Sequence, residues 1–164
     1  MNIFVLDTDP KDAASMYCDK HIPKMCVELL QQLGSAVIRH GASPDQMPLT
    51  KKGTPLKGGY HNHPCTIWVG ETCRNFKWAY DHGIELCRQY EMRYGKHHFC
   101  KAGIEHIGRK LSHLLPSGCL TPFAQAMPDE FRNDNAVIAY RAYYHSKAFA
   151  KWDKIGNQPS WWNV

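Results

Sequence analysis

The sequence predicts an all-α fold: a single-domain helical bundle of about five helices, with long loops and a short extended segment at its N-terminus. Three observations carry that expectation. Apolar residues recur at helical spacing over residues 21–40 and 64–95. Prolines and glycines gather between those stretches and mark connections. A chain of 164 residues is long enough to bury about two-thirds of its unfolded surface as one domain, without metal or disulfide staples.

Ile3-Phe4-Val5-Leu6 is a short apolar run, read as a strand or an extended segment against the core. It gives way to Asp7-Thr8-Asp9-Pro10, where Thr8 or Asp9 caps a helix over residues 11–20 whose first-turn position is Pro10. A second helix is predicted to start at Pro23 and to stop at His40-Gly41. On it His21, Lys24, Glu28, Gln31 and Ser35 fall on one stripe, while Ile22, Cys26, Leu29, Leu33 and Val37 fall on another. One face is apolar and the other carries chemistry. Free N–H groups at the helix start, with Lys20, His21 and Lys24 beside them, make a phosphate site with the Glu28 carboxylate inside it. A solvated face with a capping histidine is the plainer alternative.

Residues 42–62 hold three prolines, three glycines past residue 50 and the lysines Lys51, Lys52 and Lys57, a connection long enough to be functional. His63-Pro64 then opens the longest helical pattern, predicted to run to Tyr94-Gly95. Asn75, Trp78 and His82 line up on it with Gln89, either as a pocket wall with an indole platform or as a satisfied polar seam. Arg93, Lys96, His97, His98 and Lys101 form a basic cluster at its end. A shorter helix over 101–115 stops at Pro116, and residues 116–134 are a second irregular connection. Asn133 or Asp134 caps a last helix expected to reach Lys154, with Lys147, Lys151 and Lys154 beside Tyr144 and with Ile138, Ala142, Phe149 and Trp152 on the buried side. The aromatic end, Gln158-Pro159-Ser160-Trp161-Trp162, packs back or stacks on a ligand.

A net charge of +5, with ten histidines in reserve, suits a polyanionic partner. Seven cysteines without a C-x-x-C pair argue against a disulfide framework and a zinc ribbon, and a reduced cytoplasmic compartment is expected. The N-terminal apolar run is too short for a signal peptide, and no stretch of about twenty apolar residues spans a membrane. No cofactor and no metal site are expected. His61, His63, His97 and His98 lack a recognised ligand spacing. Cys18 or Cys26 beside His21 is a weak case for a thiol nucleophile, since Cys26 sits on the apolar stripe.

Base excision fits better. Cleaving an N-glycosidic bond builds positive charge on the sugar, which a buried carboxylate stabilises, while cations hold the distorted backbone of an unstacked nucleotide. Glu28 is the expected carboxylate. Lys20, Lys24, Lys51, Lys52, Arg93, Lys96, Lys147, Lys151 and Lys154 are the expected phosphate contacts. Gln31, Asn75, Trp78, His82 and Trp161 are the expected pocket.

Cys18-Asp19-Lys20-His21, with Glu28 seven positions after the histidine, resembles the N-terminal helix of the pyrimidine-dimer DNA glycosylases, the endonuclease V enzymes of T-even phages. The long helix from Pro64 and the Pro159-Ser160-Trp161-Trp162 ending are similar to that family too. The resemblance implies Glu28 as catalytic carboxylate, His21 as a DNA-contacting histidine and the N-terminal α-amine as nucleophile. Asn2 is a poor context for removing the initiator, so either Met1 carries the amine or the lyase step is absent. Such an amine is partly neutral at neutral pH. The family's arginines are replaced by Val27 and Gln31. The expected partner is DNA, as duplex, in the cytoplasm of a host cell if the protein is phage-encoded. The chain is similar to other small phage proteins as well, so an enzyme processing a nucleotide or unusual base, and a non-catalytic basic DNA- or protein-binding module, stand as alternatives.

Overall fold

The computed structural model describes residues 2–154 and 158–163. Six α-helices make up the domain: α1 (Pro10–Ser15), α2 (His21–Arg39), α3 (Pro64–Glu71), α4 (Cys73–Tyr94), α5 (Lys101–Lys110) and α6 (Ala136–His145). No sheet forms among the described residues; the one β-bridge joins Leu49 to Pro55. The expected bundle is thus found, with the expected first helix ending early at Ser15 and a sixth helix arising where the 64–94 helix divides into α3 and α4.

Asp9 caps α1, accepting from Lys11 N at 2.8 Å and Asp12 N at 3.1 Å, and Pro10 takes the first-turn place that needs no N–H. α2 starts two residues before the expected Pro23, which lies within its first turn. A proline is tolerated there because first-turn amides have no partner inside the helix. The remaining start amides are already spent, since His21 N and Ile22 N both donate to Cys18 O, at 3.0 and 3.3 Å. Free N–H groups at this helix start are therefore scarce, and the anion site expected from them is withdrawn.

α2 and α4 form the centre, with α1, α3 and α5 packed around α4. Their close approach requires Gly83, where a Cβ would lie 2.3 Å from Leu29 Cδ2. The helix expected to run unbroken from Pro64 to Tyr94 is two helices. Thr72 leaves helical geometry and becomes the α4 cap, accepting from Asn75 N at 3.1 Å, while the following connection takes Cys73 N onto Pro116 O at 2.7 Å. α6 likewise ends nine residues before Lys154. Beyond it the chain bends back to the α1–α2 junction, where Asp19 N donates to Lys151 O at 2.8 Å and Lys154 N donates to Asp19 Oδ2 at 3.0 Å. The face of α6 that packs inward is Ala139, Tyr140 and Tyr144. Ile138, expected to be buried, is 55% exposed, and Phe149 lies past the helix end.

Candidate active site

The polar stripe of α2 faces three neighbours: the N-terminal segment, the start of α3 and the 42–62 connection. Glu28 is buried on it. Its Oε1 pairs with the exposed Lys24 ammonium at 3.2 Å, and its Oε2 is buried with no hydrogen-bond partner among the described residues. Such an oxygen costs on the order of 1–3 kcal/mol and calls for a reason other than stability.

His21 lies about two turns earlier, in an aromatic nest. It stacks on Phe4 with centroids 5.0 Å apart and meets Tyr144 and Phe149 edge-on. Its Nδ1 is 2.7 Å from the Tyr144 hydroxyl, which itself accepts from Cys18 N at 2.9 Å. That hydroxyl has its own proton to give to Nδ1, an arrangement in which the neutral ring carries its hydrogen on Nε2. Burial pushes His21 down to about 4, and the ammoniums of Lys24, Lys147 and Lys20 push the same way. His21 is thus a neutral hydrogen-bonding group at neutral pH. The cations are the three lysines around it. Lys147 also lies over Tyr143 at 3.6 Å and Lys20 over Phe149 at 4.8 Å.

α3 runs beside α2 in the same direction. Glu28 faces His63 at one end: burial lowers the His63 pKa, and the Glu28 carboxylate opposes that shift. At the other end His40 Nε2 donates to Gly70 O at 2.7 Å. Between these ends lie Gln32 on α2 and Thr66 on α3, both wholly buried, and neither the Gln32 amide nor the Thr66 hydroxyl has a partner. Asn2 is anchored at the α3 start, its Oδ1 3.6 Å from the Cys65 thiol. The beginning of the chain is thereby held at the same end of α3 as His63. Met1, the expected amine, lies outside the described residues.

The other expected contacts separate. Gln31, Lys51 and Lys52 meet along a cavity of about 860 Å³ between α2, α5 and the 47–56 turn, where Lys51 sits 3.9 Å over the half-exposed Phe99 ring. Arg93 has no exposed side-chain surface. It donates to Tyr17 O at 2.7 Å, Ser15 O at 2.9 Å, and Asp19 Oδ1 and Gln89 Oε1 at 3.1 Å, so it ties α4 to the α1–α2 junction instead of meeting phosphate. Lys96, Lys151 and Lys154 are exposed but do not form one helix face. Lys154 lies over Tyr94 at 4.7 Å.

The pocket expected on α4 is a packed seam. Asn75 Nδ2 donates to Trp68 O at 2.8 Å and to Thr121 Oγ1 at 2.6 Å, and Trp78 Nε1 donates to Thr8 O at 2.7 Å. His82 stacks on Trp78 and donates from Nδ1 to Pro10 O at 2.9 Å. All three are buried, and burial holds His82 down at about 4. Trp161 packs on Tyr144 and lies under the Arg141 guanidinium, so it is part of the packed-back end of the chain.

Cys26, Cys87 and His98 bring three buried donor atoms within 4.8 Å of one another. His98 already spends both nitrogens, Nε2 on Pro23 O at 3.1 Å and Nδ1 on Cys100 N at 3.2 Å, and the neighbouring Cys87 together with burial pushes the Cys26 thiol up. As folded, this cluster is core packing.

The sequence reading undervalued three residues of the α2 site. His63 was seen as a helix opener, although its place beside a proline at a helix cap is what fixes its ring. Tyr144 and Asp19 carry no local signal, because their partners are over a hundred residues away in the chain.

A family model for pyrimidine dimer DNA glycosylase matches residues 1–102, the stretch that contains the α2 stripe, His63 and the 42–62 connection. No curated protein and no solved structure matches the chain.

Proposed function

Since the chain belongs to the pyrimidine dimer DNA glycosylase family, we propose that it excises a damaged or modified base from duplex DNA at the Glu28 site. The observation that carries this is the buried Glu28 carboxylate, with an oxygen left without a partner at the edge of a lysine cluster. As the N-glycosidic bond breaks, its electron pair leaves with the base and positive charge develops at C1′ and the ring oxygen. Glu28 faces that charge in a site shielded from water, where a fixed carboxylate is most effective. Lys20, Lys24 and Lys147 hold the phosphates of the unstacked nucleotide, and the neutral His21 donates a hydrogen bond from Nε2.

A lyase step is the finer part of the proposal. The α-amine of Met1 attacks C1′ and the base departs. The sugar ring then opens to a Schiff base, loss of a C2′ proton expels the 3′ phosphate, and water frees the amine. Anchoring of Asn2 beside Cys65 supports an amine at this end of α3. The test is borohydride trapping on ultraviolet-irradiated and base-modified duplexes. A covalent adduct formed only with such DNA supports the step. Base release without an adduct confines the protein to glycosylase activity, and no release from any of them contradicts the proposal.

The cavity beside Gln31 favours a second reading, an enzyme acting on a free nucleotide, because an apolar cleft flanked by Lys51 and Lys52 is of a size to hold one. Thermal stabilisation by free nucleotides but not by duplex DNA would favour that reading over excision.

A further inference from the structure

We propose that Tyr60 is a nucleobase-stacking residue, set at the rim of the Glu28 site by a backbone conformation that tyrosine does not choose for itself. The proposal rests on the DNA-excision reading above and adds to it the residue that holds an unstacked base.

Tyr60 has φ +55, the one positive value at a non-glycine position among the described residues. For a bulky side chain that is a genuine outlier, and it persists only where the surroundings enforce it. Here they do so from both sides. On one side Gly59 exchanges two hydrogen bonds with a single α2 hydroxyl: its N–H donates to Ser35 Oγ at 2.8 Å, and Ser35 Oγ donates to its carbonyl at 2.9 Å. Gly58 has φ +69 and lies so close to α2 that a Cβ would stand 2.4 Å from Ser35 Oγ. On the other side the Arg39 guanidinium donates to His61 O, and His63 N donates to Tyr60 O at 2.9 Å. The backbone is thus clamped before and after Tyr60, while the ring itself is 58% exposed. Among the described residues no aromatic stack, cation–π contact or side-chain hydrogen bond engages that ring.

Its place ties it to the site. Gly59 lies against Gln31, one turn beyond Glu28 on the same stripe, and His63, which closes the Tyr60 turn, feels the Glu28 charge. Tyr60 therefore stands between Gly59, which packs on the α2 stripe at Gln31, and His63, which feels the Glu28 charge. A strained, clamped backbone that presents a free ring beside a proposed base-excision site suits stacking, which any base offers through its π-face. The same ring on a mobile loop would lose that advantage to ordering entropy.

The probe is a duplex carrying a tetrahydrofuran abasic analogue next to 2-aminopurine, with a distant dye reporting binding. Loss of one aromatic–base stack is worth roughly a tenfold or greater loss of affinity. Tyr60→Gly is expected to weaken binding about tenfold and to leave the 2-aminopurine in the complex brighter than with the unaltered protein, while raising the melting temperature, because glycine accepts φ +55. Tyr60→Phe is expected to keep affinity and emission. Unaltered affinity and emission in Tyr60→Gly would overturn the assignment of Tyr60 alone. Failure of the unaltered protein to bind this duplex would overturn the DNA reading on which it rests.

Discussion

Glu28 and Arg93 are both buried charges in this protein, and their surroundings give them opposite roles. Arg93 makes four hydrogen bonds through its two terminal nitrogens, though its Nε has no partner among the described residues, and it closes an ion pair with Asp19, so its removal leaves a buried acid without that partner. Arg93→Ala is expected to lower stability by about 3–5 kcal/mol in urea denaturation. Glu28 instead holds an oxygen without a partner among the described residues, and its ion pair there is to an exposed lysine, a contact worth little. Glu28→Gln is accordingly expected to leave stability unchanged or about 1 kcal/mol higher by the same denaturation curve. A loss like that of Arg93→Ala would make Glu28 a structural residue.

Helix boundaries in this chain are decided by what crosses them. The α2 stripe was legible from 3.6-residue spacing, because His21, Glu28 and Gln31 sit on a helix whose apolar face alone fixes its orientation. Pro23 was misleading: a proline reads as a helix start, yet it is equally at home at the third position of a helix that begins with His21. The break at Thr72 was not legible, since the one glycine nearby, Gly70, stays inside α3 and the hydrogen bonds that open the helix come from Pro116 and Cys119. The early end of α6 has the same origin in Asp19, which draws residues 151–154 back toward α1. In each case contacts made across the fold outweighed local propensity. The Thr72 cap is checked by Thr72→Ala, expected to cost about 1 kcal/mol in thermal or urea unfolding through the lost bond to Asn75 N. No cost would mean that the Pro116 connection alone sets the break.

Across the whole molecule the fold separates two kinds of histidine seam. His82 belongs to the packed seam of α4, and His21 borders the site on α2, yet burial holds both near pKa 4 against an ordinary 6.5. Between those values the unfolded chain takes up protons that the folded chain refuses. Stability is therefore expected to be fully present above about pH 6.5, to fall as pH drops toward 4 and to level off below it, by at most about 3 kcal/mol for each histidine. Melting temperatures that stay flat over this range would show that both rings titrate freely when folded. The +5 charge likewise acts through the whole surface, but only Lys20, Lys24 and Lys147 converge on the site. Three phosphate contacts give a log–log salt slope for duplex binding of roughly −3. A triple Lys→Gln variant is expected to bring that slope near zero if no other lysine contributes.

The most direct test of the central claim is base release from damaged or modified duplex DNA under single-turnover conditions, comparing the unaltered protein with Glu28→Gln. The expected result is release by the unaltered protein and a loss of at least about a hundredfold in Glu28→Gln, with binding of the same duplex retained. Release at an equal rate by both proteins would contradict the assignment of Glu28 as the carboxylate that stabilises the sugar cation.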